Sequence, residues 1–92
     1  MNQFLVHERA DSVGVATVDI KQGEKVEGLY MDSQEPITVE ALSDIPLGHK
    51  IALKEHAPED TILKYGYDIG KVVADIKVGD HVHVHNLKTK RW

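Results

Sequence analysis

Asp75-Ile76-Lys77-Val78-Gly79-Asp80, running straight into His81-Val82-His83-Val84-His85-Asn86, reads as a tight turn that launches a strand. The aspartate can accept hydrogen bonds from turn amides, the isoleucine plugs a core, and the glycine tolerates the positive φ that precedes extension. Strict alternation then puts His81, His83 and His85 on one face of the strand and Val82 and Val84 on the other. The same phrase, Asp-Ile-x-x-Gly-x-x-(Val/Ile), stands at Asp19-Ile20-Lys21-Gln22-Gly23-Glu24-Lys25-Val26 and at Asp44-Ile45-Pro46-Leu47-Gly48-His49-Lys50-Ile51. A weaker fourth copy runs through Glu55-His56-Ala57-Pro58-Glu59-Asp60-Thr61-Ile62, with Glu59 where the glycine stood. A positive φ at Glu59 would cost about 1 kcal/mol. The copies are too few and too unevenly spaced for a solenoid, so they are recurring turn chemistry.

Working outward from these turns, short β-rich runs cover 4–7, 13–19, 25–31, 37–42, 49–53, 61–65, 71–76 and 81–87. Turn signals separate them at the intervals of an all-β domain. No segment offers a long helix; residues 39–42 could form one helical turn, and 69–74 have ambiguous periodicity. The expected architecture is all-β, a small and partly closed domain with many turns, spanning residues 1–92 as one unit.

Composition bounds what such a domain can do. With 92 residues, one Phe, three Tyr and one Trp, the core must be aliphatic and modest, so a partner chain would add stability. There is no cysteine, which excludes disulfides and thiolate metal sites. No apolar run reaches the roughly 20 residues of a membrane span, and the start Met1-Asn2-Gln3-Phe4 lacks a signal peptide's basic opening, so a cytoplasmic location is expected. The formal net charge of -4 argues against nucleic acid as a partner. Lys88-Thr89-Lys90-Arg91 is too short a basic cluster to reverse that. Exposed strand edges leave room for a homo-oligomer, dimer or trimer.

The imidazole row is the first candidate for chemistry, because imidazole titrates near neutrality, ligates metals and moves protons. An ordinary solvated strand face would show the same alternation. His49 and Lys50 follow the sharp turn at Gly48, where an amide and a cation can meet an anionic carboxylate or sulfonate; a turn cap and a solvated strand lysine are the plainer roles. Lys64-Tyr65-Gly66 offers an anion-binding corner, against local packing of the phenol. Asp11 and Ser12 can bind a ligand hydroxyl or cap the turn before Val13. His7 and His56 read as surface or packing residues, and Trp92 suits an apolar contact with a partner.

Three ordered motifs carry a resemblance: Ile45-Pro46-Leu47-Gly48-His49-Lys50-Ile51-Ala52-Leu53-Lys54, then Lys64-Tyr65-Gly66-Tyr67-Asp68-Ile69-Gly70, then His81-Val82-His83-Val84-His85-Asn86-Leu87. Together they resemble the small SAF domain of the altronate and galactarate dehydratases and of the related sulfolactate sulfo-lyases, a domain of β-clip fold. Ile69-Gly70-Lys71-Val72-Val73 and Lys88-Thr89-Lys90-Arg91-Trp92 are similar to the sulfo-lyase branch in particular, although altronate dehydratase small subunits share much of the same text.

The resemblance implies a lyase subunit, inactive alone, that works with a large catalytic subunit on a small 2-hydroxy acid by β-elimination. It also implies a divalent metal, iron or a similar ion. On that footing His83 and His85 are candidate metal ligands or proton carriers, with Asn86 orienting substrate or a neighbouring imidazole, and His49, Lys50, Lys64, Tyr65, Asp11 and Ser12 are candidates for substrate binding. Two imidazoles do not fill a coordination shell, so further ligands would come from the large subunit. The competing expectations are a non-catalytic module that binds a small acid and regulates a partner, and a metal-handling protein.

Overall fold

The computed structural model describes residues 2–8, 11–58, 60–64, 67–83 and 86–88, and of 61–64, 67–69 and 88 the backbone alone. Among them there are nine strands and no helix: β1 (Phe4–Val6), β2 (Val13–Ala16), β3 (Lys25–Tyr30), β4 (Pro36–Glu40), β5 (Lys50–Ala52), β6 (Thr61–Lys64), β7 (Tyr67–Val72), β8 (His81–Val82) and β9 (Leu87–Lys88). The all-β expectation holds. Six strands form one sheet in the order β4-β3-β1-β2-β5-β8, and β6-β7-β9 form a second. Every pairing is antiparallel except that of β1 with β3.

Strand alternation divides the core between the two faces of the large sheet. Phe4, Val6, Ala16, Val26, Val39 and Ile51 point to one face and pack with Ile20, Ala41 and Ile45. Val13, Ala52 and Val82 point to the other, where Val72 and Ile76 meet them and Leu87 leans in. Phe4 fills the space opened by two glycines, since a Cβ on Gly28 would lie 2.2 Å from its ring and one on Gly14 2.8 Å.

The recurring phrase explains most of the connections. Ile20, Ile45 and Ile76 are all buried, and Gly23, Gly48 and Gly79 have φ of 90°, 84° and 94°. The phrases work in pairs, which their sequence does not announce. Ile20 and Ile45 exchange backbone hydrogen bonds of 2.9 and 2.8 Å, and His56 of the fourth copy does the same with Ile76 at 2.9 Å both ways. His56 therefore takes an isoleucine's place in the bridge, half-buried, the packing role among those expected of it; the expected positive φ at Glu59 lies outside the described residues. Asp19 and Asp44 do not serve their own turns. The Asp19 carboxylate accepts from the Leu47 amide at 2.9 Å and the Asp44 carboxylate from the Gln22 amide at 2.8 Å, a reciprocal clasp between phrases.

Three local expectations fail. The run at 71–76 is displaced, because β7 begins at Tyr67 and pairs with β6 through an irregularity between Ile62 and Leu63. The run at 81–87 is cut into β8 and β9, which belong to different sheets. Residues 39–42 form no helical turn, as β4 continues to Glu40.

Candidate functional site

Register brings histidines together. In the β5–β8 ladder Lys50 faces Val82 and Ile51 faces His81, so one further step sets position 49 against position 83. Because alternate residues share a face, His49 lies on the side of Ile51, and His81 and His83 lie on that same side, away from Val82. The rings meet there. His49 Nδ1 lies 2.9 Å from His81 Nε2, a hydrogen bond in which one nitrogen carries the proton and the other accepts it. The His49 and His83 ring centroids are 4.8 Å apart, and His81 and His83 stack at 5.5 Å with 10° between planes.

His49 is available for this because of its neighbour. In three phrases the sixth residue is an acid whose carboxylate accepts from the amide of the third: Lys21 N to Glu24, Ala57 N to Asp60 and Lys77 N to Asp80, each at 2.8 Å. In the remaining phrase the third residue is Pro46, which has no amide hydrogen to give. An acid there would have nothing to accept. The slot holds His49, and its ring turns to the imidazoles of His81 and His83 instead.

The backbone of His81 and His83 is held on the side of β8 that no described strand covers. Ser43 Oγ accepts from His81 N at 3.0 Å, Asn86 Nδ2 donates to His81 O at 2.9 Å, and Asn86 Oδ1 accepts from His83 N at 3.0 Å. Asn86 is buried, and its amide side chain is committed to backbone on both its oxygen and its nitrogen.

The three imidazoles suit a metal ion. Their candidate ligand atoms all lie within 4.8 Å of one another, with His49 and His81 half-buried and His83 exposed. Nitrogens bound at about 2.1 Å to one ion sit roughly 3 to 3.5 Å apart, so the His49–His81 pair already has that spacing and the exposed His83 ring can rotate into it. Three neutral donors leave coordination positions open, the mark of a site that admits substrate or a ligand from another chain.

Other nominated residues fall elsewhere. Lys50 points to the face opposite His49, with Ala52 and Val82. Asp11 lies on that opposite face as well, in a groove of about 160 Å³ lined by Leu5, His7, Val13, Val15, Thr17 and Met31. Its carboxylate accepts from Glu8 N at 3.3 Å, as a turn cap does. Ser12 is buried, and its carbonyl accepts from Leu53 N. Lys64 closes β6, its side chain outside the described ones, and His85 and Tyr65 lie outside the described residues. Sequence reasoning paired His83 with His85 and placed His49 at a separate anion corner; the register of β5 with β8 is what joins His49 to the row. Ser43 carried no signal at all, since a serine before an Asp-Ile turn is unremarkable until its partner strand is known.

A family model for the altronate/galactarate dehydratase SAF domain matches residues 2–90. The chain belongs to that family. It is 46% identical, over 97% of its own length and 96% of the other's, to the (2R)-sulfolactate sulfo-lyase subunit alpha of Chromohalobacter salexigens. A second protein of that name, from Paracoccus pantotrophus, is 62% identical over 52 residues, 56% of this chain and 78% of the relative. The altronate dehydratase of Bacillus subtilis is 39% identical over 97% of this chain, which spans only 17% of that enzyme. The relatives are named as a sulfo-lyase subunit and a dehydratase, so the family is of lyase type. Among the described residues no helix is long and apolar enough to cross a membrane.

Proposed function

We propose that this chain is the small subunit of a cytoplasmic two-subunit lyase that eliminates sulfite from a 3-sulfo-2-hydroxy acid such as sulfolactate, and that it lends His49, His81 and His83 to a site completed by a large subunit. The observation that carries this reading is the convergence of three imidazoles on one edge of a domain that matches a sulfo-lyase alpha subunit along 96% of that relative's length. Altronate dehydration is the second reading, favoured by the 39% identity to the SAF region of a dehydratase.

Both reactions are β-eliminations. A base takes the proton from C2, the C–H electron pair becomes the C2=C3 bond, and the leaving group departs from C3 with its own pair; the enol formed then becomes the keto acid. Such a reaction needs a base, stabilisation of charge on the enolate and help for the leaving group. A divalent ion held by the three imidazoles, iron on the family resemblance, would supply Lewis acidity there, and neutral ligands would leave its charge undiminished toward an anionic substrate. The chain's own contributions are those of its imidazoles. The 2.9 Å contact between His49 and His81 holds the two rings in one orientation, and an ion bound between these nitrogens would take the place of the proton they share. His83, exposed, faces whatever closes over the sheet edge. The base and the remaining substrate contacts come from the large subunit.

The test is reconstitution. Mixed with its large subunit, the chain is expected to turn over sulfolactate, and each part alone to be inactive. His49→Ala, His81→Ala and His83→Ala complexes should still assemble yet lose about 10²-fold or more in kcat/KM, the scale of losing a metal ligand or a proton-transfer group. Full rates in all three would remove the imidazoles from the chemistry, and turnover by the large subunit alone would make this domain a regulatory acid-binding module.

A further inference from the structure

We infer that Ser43 and Asn86 are positioning residues for the three-imidazole site, fixing the backbone of β8 so that His81 and His83 present their rings at metal-binding spacing. The inference rests on the reading of His49, His81 and His83 as metal ligands. Strand β8 is two residues long and lies at the end of its sheet, so only one side of it is held by a ladder. On the other side three backbone groups, His81 N, His81 O and His83 N, are each met by a side chain, and only two side chains do all of this. These bonds fix the main chain on the edge that the ladder leaves open, where a two-residue strand by itself would not keep His81 and His83 at 10° between ring planes.

Ser43 couples the two halves of the site. It sits in the loop between β4 and β5, the same loop that ends in His49, so one short segment anchors His81 through the serine and delivers the third imidazole six residues later. Asn86 closes the other end, where its own amide also donates to His83 O at 3.1 Å and the Leu87 amide donates to that oxygen at 2.9 Å. A ligand set must be held to within about 0.5 Å to bind well, and removing groups that orient ligands typically costs 10- to 100-fold in affinity. Neither residue contacts the ion in this arrangement; each acts through the main chain of a histidine.

The experiment uses the full chain and Co(II) as the probe, read by its d–d absorption and by competition with a chromophoric chelator. Wild type is expected to bind one ion per chain, and Ser43→Ala and Asn86→Ala to bind 10- to 100-fold more weakly with a changed d–d spectrum. Ser43→Thr, which keeps the hydroxyl, should restore both readouts, and it keeps the test decisive if Asn86→Ala does not fold. Thr17→Val removes a comparable side chain to backbone bond, from Thr17 to Asn2 O, and should leave Co(II) binding at the wild-type value. Wild-type affinity and spectrum in Ser43→Ala, with binding lost in His81→Ala, would overturn the positioning role while leaving the ligand assignment standing. Binding untouched in His49→Ala, His81→Ala and His83→Ala would instead overturn the ligand assignment, and the positioning role with it.

Discussion

The two pairs of turns are built on one plan and finished differently. In the first, Ile20 bridges Ile45, and Asp19 and Asp44 each reach across to an amide of the other turn. In the second, Ile76 bridges His56, and the residue that would offer Asp75 the equivalent amide is Pro58, which has none. The recess between the turns is about 270 Å³ in the first pair and about 430 Å³ in the second, where Glu55, Asp60 and Asp75 line it. The first pair is an aliphatic lock with its polar groups matched. The second carries a half-buried histidine in the isoleucine's position and leaves its Nε2 buried with no hydrogen-bond partner among the described residues. Departures from the shared plan mark where the molecule does something besides hold together, and the imidazole site takes His49 from one pair and His81 from the other.

The glycines offer the sharpest test of that contrast. All three sit near φ +90°, but a Cβ on Gly23 or Gly48 meets nothing within 4 Å, whereas one on Gly79 would lie 2.0 Å from Glu40 O. Gly79 is where the second pair is pressed against the end of β4. Gly79→Ala is expected to cost about 3–5 kcal/mol, the sum of a left-handed alanine and an overpacked contact with main chain, while Gly23→Ala and Gly48→Ala should cost about 1–2 kcal/mol each. Urea unfolding of the three variants checks it. Equal costs would mean that the two pairs are equally constrained.

A smaller effect, of opposite sign, is expected at His56. Replacing it by isoleucine makes the second bridge like the first and removes a buried nitrogen with no partner, a group whose desolvation costs about 1–3 kcal/mol. The His56 Nδ1 contact with Asp60 at 3.7 Å is too long to offset this. His56→Ile should therefore raise the thermal midpoint, and a drop would show that the histidine's polar atoms are satisfied in solution.

The turns were readable in the sequence because their chemistry is local: a glycine at positive φ and an isoleucine three residues earlier need no knowledge of distant chain. The shared face of His81 and His83 was readable for the same reason. What could not be read was partnership. Asp19 looks like a residue that serves its own turn, yet it bonds Leu47, and no periodicity selects a partner 28 residues away. His49 joins His81 and His83 only through the β5–β8 register, which depends on which strands become neighbours. The strand expected over 81–87 failed because Asn86 spends its side chain on the backbone of His81 and His83 and bends the chain toward a second sheet.

The last and smallest effect asks whether Pro46 is the reason a histidine can occupy the sixth position of its phrase. If the acid clasp seen at Glu24, Asp60 and Asp80 stabilises those turns, it can be rebuilt at the fourth only by supplying both halves, an amide at 46 and a carboxylate at 49. Pro46→Ala supplies the amide alone, and His49→Asp supplies the carboxylate alone while breaking the bond to His81. The double variant should be more stable than the sum of the single effects predicts, by about 0.5–1.5 kcal/mol, the net worth of one hydrogen bond. The proline's effect on the unfolded chain enters the single and the double variant alike and cancels in the cycle. Additivity within about 0.3–0.5 kcal/mol would show that the clasp contributes nothing there. The histidine would then owe its place to its contacts with His81 and His83 alone, and the first and second turn pairs would differ without any compensating local chemistry.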